Sequence, residues 1–385
     1  MDLSVVIVAL NGRDMTLECL ATIPGAAGGL ACEIVLVDNG SSDGTAEAAG
    51  KIPGVRVIRN SDNRGYGPAA NQGMRASTGK IIALVNNDTR LPPGSLKELA
   101  ALLEADPKAA VVGPQLQHED GRSQHSFDVE PSLATELLNK SLLRRLSPGA
   151  YPSRLQPRSA PFEVQNLVGA CFVLRRSIAD ELGGFDETFF YLYEETDFCR
   201  RARDRGWKIL VHPGVTIVHL QGRTRRAVRV RAKIEQARSR FAYFRKHRPM
   251  AHLALRLLLP VKNLLETIVW LAATVVTLGL WGRARGRLAE SAAVLGWQLL
   301  LCPRHLGLDR RASGRSELKT GDNVRIVEGA FSDFVGLIDA THPTKGLVTV
   351  SIDILGRETK VDLEYSQVAK TRDPGHMPRG KAPDA

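Results

Sequence analysis

Three carboxylates, Glu194, Glu195 and Asp197, fall within four positions of the stretch 191–207, "YLYEETDFCRRARDRGW". An aromatic run, "GGFDETFFYLY", leads into them and arginines follow. Two readings suit such a group. Acids favour the first turn of a helix, so the cluster can be a solvated helix start. A carboxylate approached by aromatic residues, which screen a site from water, can instead be a general base. Two more acids, Asp38 and Asp88, each stand just after a Val-rich run, in "EIVLVDNGSSDGT" and "KIIALVNND". Acids in such places are often only turn formers or helix caps. With a hard divalent cation, however, they suit a diphosphate leaving group, whose oxygens share the ion with a carboxylate.

The elements that must position these acids are legible from 3 to 118. "LSVVIVAL" is a continuous apolar run, as a strand buried on both faces should be. A helix is expected over 14–22. "EIVLVD", "VRVIRN" and "KIIALVNND" read as further strands, and "NRGYGPAANQGMRAST" as a loop entering a helix. Alternating strands and helices imply an α/β fold with a mostly parallel sheet. Ligands bind such sheets at the carboxyl ends of strands, where Asp38 and Asp88 lie. Residues 119–168 read as irregular, with room for a mobile acceptor loop. "GACFVLRRSIADELGGFDE" reads as strand, helix and turn, and "KILVHPGVTIVHLQG" as a strand pair ending in His219.

Taken together, these blocks resemble the family-2, inverting glycosyltransferases of GT-A fold, especially their rhamnosyltransferase-like branch. The resemblance runs from residue 3 to about 222 through "SVVIVALNGRD", "VLVDNGSSDGT", "NRGYGPAANQG", "ALVNNDTRLPPGSL", "GACFVLRR", "GGFDETFFYLYEETDFCRRARDRGW" and "VHLQG". It implies transfer of a sugar, rhamnose among the candidates, from a nucleoside-diphosphate donor to a cell-envelope glycan or lipid-linked acceptor. By resemblance Asp38 contacts the nucleobase, and Asn11, Asn63, Gly65, Asn71 and Asn86 line the nucleotide-sugar pocket. "NND" occupies the slot of the D-x-D motif; Asn86 replaces its first acid, which leaves Asp88 as the direct ligand of Mg2+ or Mn2+, and His219 matches a histidine that joins the metal in some relatives. Glu195 falls where the family places its catalytic base, usually Asp, and Asp197 is the alternative. Arg200, Arg201 and Arg203 either cover a helix face or reach phosphate.

The chain is long for one core, 385 residues, and carries a net charge of +11. Between Arg223 and Arg248 stand eleven Arg or Lys and one acid, Glu235, nearly the whole excess. Such a run attracts anionic membrane lipids or nucleic acid. The segment after it is mostly apolar, but its uncharged window, Thr267 to Gly282, is shorter than the roughly 20 residues a span normally needs. Helices in the membrane plane and a true span both fit. Five unpaired cysteines and no leading basic residue suggest a reducing compartment without a signal peptide, and thus the cytoplasmic side of the plasma membrane.

From 317 the pattern alternates between Gly and Pro turns, as in a small antiparallel barrel. "GDNVRIVEGAFSDFVGLID" and "VSIDILGRETKVDLEYSQVAK" are similar to the KOW-containing terminal domain of NusG. That resemblance implies docking to a ribosomal protein or to Rho, although Leu355 replaces an aromatic of the docking surface and Ala330 and Lys360 replace prolines. Four regions are expected: a transferase domain (1–222), a basic and apolar helical region that associates with membrane (223–315), an SH3-like barrel (316–371) and a disordered tail (372–385). The alternative function is a non-catalytic regulator acting through the barrel.

Overall fold

In the computed structural model the first apolar run is a central strand, β1 (Leu3–Ala9), buried along almost its whole length. The structure describes residues 1–153, 158–220, 229–278, 280–300 and 302, and, further on, 308, 319–326, 331, 334–342, 347–354, 357–364 and 367–371. Helix α1 (Arg13–Ala27) runs past the expected 22 and accommodates Pro24. It leads to β2 (Cys32–Asp38), short α2 (Thr45–Ala49), β3 (Val55–Arg59), α3 (Tyr66–Ala76) and β4 (Ile81–Asn86). Strand β1 lies between β2 and β4, parallel to both, and β3 lies outside β2.

The alternation of β1 divides two apolar layers. Leu3, Val5 and Ile7 pack with Cys19, Leu20 and Ile23 of α1 and with Leu96, Leu99 and Leu103 of α4 (Ser95–Ala105). Val6 faces the other layer, with Ala69, Ala70 and Met74 of α3. Each such Leu or Ile contributes about 1.5–3 kcal/mol relative to exposure. This two-sided burial is what a continuous apolar run requires.

The rest of the sheet is mixed. After two-residue β5 (Thr89–Arg90) come β6 (Ala109–Gln117), β7 (Phe127–Asp128), α5 (Leu133–Leu137), α6 (Lys140–Leu146), β8 (Phe162–Glu163), β9 (Asn166–Leu167), β10 (Cys171–Arg175) and α7 (Arg176–Leu182). Helix α8 (Glu194–Asp204) carries the acid cluster, and β11 (Lys208–His219) closes the set. The path is β3-β2-β1-β4-β10-β6-β11-β5, with β10 antiparallel to both neighbours. Two expectations change here. The "strand pair" at 208–219 is one strand with a register shift between His212 and Thr216, so "HPG" makes an irregularity rather than a hairpin turn. The segment 119–168 is not irregular throughout, because α5, capped by Ser132, and α6 are built within it.

Residues Met1–Cys302 form one compact unit, which includes α9 (Arg229–His247), α10 (Pro249–Val276) and α11 (Gly282–Leu299). In α9, Tyr243 and Phe244 are fully buried beside Phe189 of the transferase body. Much of the basic run therefore faces inward. Arg238 pairs with Glu235, Arg240 with Glu136, Lys246 with Asp186 and Asp197, and Arg248 with Glu130. Arg223, Arg225 and Arg226 lie outside the described residues. Helix α10 is long and apolar enough to cross a membrane and is mostly unburied. Leu255, Leu259 and Asn263 pack inward, while Leu257, Val261, Leu264, Leu265, Ile268 and Val269 are exposed.

The second unit, Pro303–Ala385, contains β12 (Asn323–Ile326), β13 (Val335–His342), β14 (Leu347–Ile354), β15 (Arg357–Glu364) and β16 (Val368–Lys370). They form one antiparallel sheet, β15-β14-β13-β12-β16, the strand set of a small barrel. Its core holds Val324, Ile326, Ile338, Val348, Val350 and Ile352. Lys360, where the resembling domain has proline, joins the ladder opposite Ser351 and pairs with Asp339 at 2.8 Å. Leu355, Ala330 and the tail 372–385 lie outside the described residues. All five cysteines are free.

Candidate active site

The register of the sheet brings the strand-end residues together. Ala9 lies opposite Asp38, and Val8 opposite Asn86, so the chain leaves β1, β2 and β4 along one edge. Beyond β1, Asn11 turns in the left-handed region at φ 59°. Its amide N–H donates to Ser41 Oγ (2.8 Å), and its Oδ1 accepts from the Ser42 N–H (2.9 Å). Asn11 thus ties the loop after β1 to the loop after β2. Asn87 completes the link: its Nδ2 donates to Asn11 O and to Thr16 Oγ1.

Asp38 is buried, and its Oδ2 accepts from the Ser41 N–H at 3.2 Å. Its Oδ1 is buried with no hydrogen-bond partner among the described residues. A buried carboxylate oxygen left unmatched is costly, which makes Asp38 Oδ1 a candidate acceptor for a bound donor. Next door, Asn39 uses its whole amide on the 60–65 loop. Nδ2 donates to Asn63 Oδ1 and Gly65 O, and Oδ1 accepts from Asn60 Nδ2 and the Arg64 N–H. Asn63 Oδ1 also accepts from the Gly65 N–H. Gly65 sits at φ 90°, and a Cβ there would stand 2.6 Å from Phe190 O, so only glycine fits. Asn71, expected to line the pocket, is committed elsewhere. Its amide exchanges hydrogen bonds with the backbone of Phe185 and donates to Glu187, pinning α3 to the 185–187 turn.

Strand β5 explains how His219 reaches Asp88. Thr89 pairs with His219 across β5 and β11, and His219 Nε2 stands 3.3 Å from Asp88 Oδ1. Gln124 fixes the ring. Its Nε2 donates to His219 O (2.6 Å), so its Oε1 is the atom that faces His219 Nδ1 at 3.1 Å. Nδ1 must then carry a proton. In the neutral ring Nε2 is left as a bare lone pair pointing at a carboxylate. A histidine whose other nitrogen is held by a hydrogen bond is the arrangement of a metal ligand. A carboxylate and an imidazole nitrogen side by side are donor types that suit Mn2+ or, through the carboxylate, Mg2+. No cluster of three or more His, Cys, Asp or Glu suited to metal occurs among the described residues.

The acid cluster separates into three environments. Leu192 and Tyr193, at φ 67° and 77°, form a left-handed turn of two non-glycine residues directly before α8. Such backbone is strained and persists only where its surroundings hold it. Here Ser239 Oγ donates to Tyr191 O, and the Tyr193 ring packs on Tyr243. Glu195 emerges from this turn onto Gly169, where any Cβ would collide with its carboxyl. Since the Asn86 N–H donates to Ala170 O (3.0 Å), Gly169 and Glu195 lie at the strand edge that carries Asn86. Burial pushes the Glu195 carboxyl up to about 7. Glu194 is more deeply buried. Burial, then the neighbouring Glu195, raises it well above the carboxylate range, and its Oε2 has no partner among the described residues.

Asp197 takes a different role from the base it was expected to offer as an alternative. It is fully buried, and its oxygens meet Arg201 Nε, Lys246 Nζ and His247 Nε2, each at 2.7 Å. Burial alone would raise its pKa; the His247 hydrogen bond and the Arg201 and Lys246 charges outweigh it and hold the carboxyl below its usual range. A base held charged and enclosed by cations cannot take a proton from substrate. The arginines are committed likewise. Arg201 also donates to Leu182 O and Gly184 O, while Arg200 and Arg203 close on Glu130. Sequence reasoning missed Glu130, Gln124 and Asn39, whose partners lie too far along the chain to be read from spacing.

Residues 4–183 match the family model "Glycosyl transferase family 2". The amino-terminal half of the chain is a family 2 glycosyltransferase domain. An N-acetylglucosaminyl-diphospho-decaprenol L-rhamnosyltransferase of Mycobacterium tuberculosis is 32% identical over 204 residues, 48% of this chain and 66% of that protein. The chain thus spans just under two-thirds of that relative's length. The NusG protein of Thermus thermophilus is 42% identical over 65 residues, 17% of this chain and 35% of its own length. A solved mannosyltransferase of Pyrobaculum calidifontis, in complex with GDP-Man and Mn2+, aligns at TM-score 0.49 and 19% identity over 78% of this chain and 86% of that one. The chain therefore joins a transferase domain to a NusG-like terminal domain.

In the transferase domain, Gly169→Ala tests the seat of Glu195. The added methyl displaces the carboxyl while β10 keeps its register, and a misplacement of about 1 Å can cost about 10²-fold in rate. We expect kcat to fall by that order with the melting temperature little changed. A normal kcat would show that Glu195 does not need its present seat.

Proposed function

We propose that the protein is an inverting glycosyltransferase that moves a sugar from a nucleoside diphosphate to a lipid-linked glycan acceptor at the cytoplasmic face of a membrane. The observation that carries the reading is the half-buried Glu195 carboxyl, seated on Gly169 and raised by burial to about 7, on the sheet edge that also holds the unmatched oxygen of Asp38. Asp38 Oδ1 would accept from a nucleobase N–H, with the 60–65 loop forming the pocket wall. Asp88 and His219 would hold Mg2+ or Mn2+, which when bound offsets charge on the diphosphate leaving group. Glu195 takes the proton of the acceptor hydroxyl as its oxygen bonds to the anomeric carbon. The bond from that carbon to the diphosphate breaks in the same displacement, which inverts the centre.

The lipid-linked acceptor is supported by the relative named for a diphospho-decaprenol substrate and by the exposed apolar face of α10. One face of α10 packs on α5, α9 and α11, so the helix suits the membrane plane better than a simple crossing. A regulator acting only through its barrel would have no use for a carboxyl held near 7.

A panel of UDP-, dTDP- and GDP-sugars, assayed for hydrolysis and transfer with and without Mn2+, tests the reading. One donor should be turned over, even slowly, without acceptor. Asp88→Ala should remove the metal dependence of donor binding, measured by titration calorimetry. Full activity in excess EDTA would refute the metal assignment, and turnover of no donor in the panel would refute the transferase reading.

A further inference from the structure

A polar, partly open cavity lies away from the sheet edge, lined by α9, α10 and α11, with a volume of about 220 Å3. Four cationic side chains line it: Lys233, Arg240, Lys262 and Arg287. Two carboxylates, Glu266 and Glu290, also line it, Glu266 at 3.9 Å from Lys262 and Glu290 at 3.8 Å from Arg287, so cationic side chains outnumber acidic ones in the lining. Lys262 donates to Glu136 O at 2.5 Å, which anchors it at the cavity wall.

The position of the cavity on α10 narrows the class of anion. Lys262, Asn263, Glu266 and Trp270 stand on one helical face and line the cavity. On the same turns Val261, Leu264, Leu265, Ile268 and Val269 are exposed. One stretch of helix thus offers Lys262 to the cavity and apolar side chains outward. A free phosphate would use only the first and a nucleic acid would not use the second.

We propose that this cavity binds the phosphate headgroup of a membrane lipid whose chains lie along the exposed face of α10. Its back wall is Arg240, which contacts Tyr193 in the strained turn before Glu195 and pairs with Glu136 at 2.8 Å. The bound headgroup therefore sits one side chain from the acid-bearing turn. The inference rests on the membrane-face reading above, but it concerns a separate site with a separate readout.

The test is vesicle flotation of the full chain with phosphatidylcholine vesicles, with and without about one-fifth phosphatidylglycerol. The parent should bind the anionic vesicles more tightly. Lys262→Gln combined with Arg287→Gln should lose about 10-fold or more in affinity. The charge-matched control, Arg283→Gln with Arg285→Gln, both exposed and outside the cavity, should lose at least about 3-fold less affinity than the cavity pair. Equal losses would mean surface charge alone and overturn the proposal, as would no loss in the cavity pair. Should that pair misfold by circular dichroism, Ser291→Glu, which adds a negative charge to the cavity wall, should give the same loss. Competition by millimolar pyrophosphate without lipid, or by a single-stranded RNA oligonucleotide, would also overturn it. Donor hydrolysis in the same preparations reports on the transferase reading: it should persist in every variant, and its absence from the parent would count against that reading alone.

Discussion

Glu195→Gln is expected to lower kcat by about 10²-fold or more with the donor Kd nearly unchanged, because a general base acts in the chemical step. The amide keeps the shape of the carboxyl and its seat on Gly169, so the loss isolates proton transfer. The pH profile supplies a second signature. A base works only when deprotonated. Burial lifts Glu195 to about 7, so kcat/KM of the parent should rise with pH through that region and level off above it. The Gln variant should lack this limb. The same shift has a cost in stability: the charged form is the one burial disfavours, so its contribution to the fold weakens as pH rises through about 7. Parental rates in the Gln variant would remove Glu195 from the chemistry. Asp197, charged and enclosed, could not replace it.

Asp197→Ala should have the largest effect on stability. It would leave Arg201, Lys246 and His247 facing a hole in the interior. Removing one partner of a buried ionic group costs about 3–5 kcal/mol, because the opposite charges stay behind unmatched. Chemical denaturation should show a loss of this order, a large part of the usual margin of about 5–15 kcal/mol. The pH sign is opposite to that of Glu195. Asp197 is held below its usual range, so its contribution is present at neutral pH and is lost as pH falls through the folded-state value. A loss below about 1 kcal/mol would show that the cations relax into solvent, as surface pairs do.

The parts of the fold that were legible in the sequence are those set by local periodicity. The Val-rich runs became the parallel strands, and the acids at their ends stand on one edge because β1, β2 and β4 run in register. Gly65 was legible from its loop, although its reason, the carbonyl of Phe190, was not. What stayed hidden depends on long-range pairing. The Asp38 and Asp197 carboxyls look alike as letters. One keeps an unmatched oxygen, while the other is closed by a helix that begins more than thirty residues later. The expected strand pair at 208–219 is one strand because β6 offers a ladder that an irregular strand can still use. Charge counted along the basic run likewise does not reveal the acids that part of it meets, Glu130, Glu136, Asp186 and Asp197.

The clamp formed by α9 has a consequence for the order in which the protein can be made. Glu130 and Asp197 leave the ribosome well before Lys246, His247 and Arg248, which complete the pairing that Arg200, Arg203 and Arg201 begin. When the last strand of the sheet, ending at His219, has been synthesised, the turn that presents Glu195 still lacks Ser239 and Tyr243. A nascent chain at that stage has its sheet but not its finished acid turn. The apolar stretch of α10 follows immediately, so completion of the turn that presents Glu195 and arrival of the long apolar helix coincide in time. A fragment cut at the end of the sheet, however natural that boundary looks, would stop translation's work one helix too early.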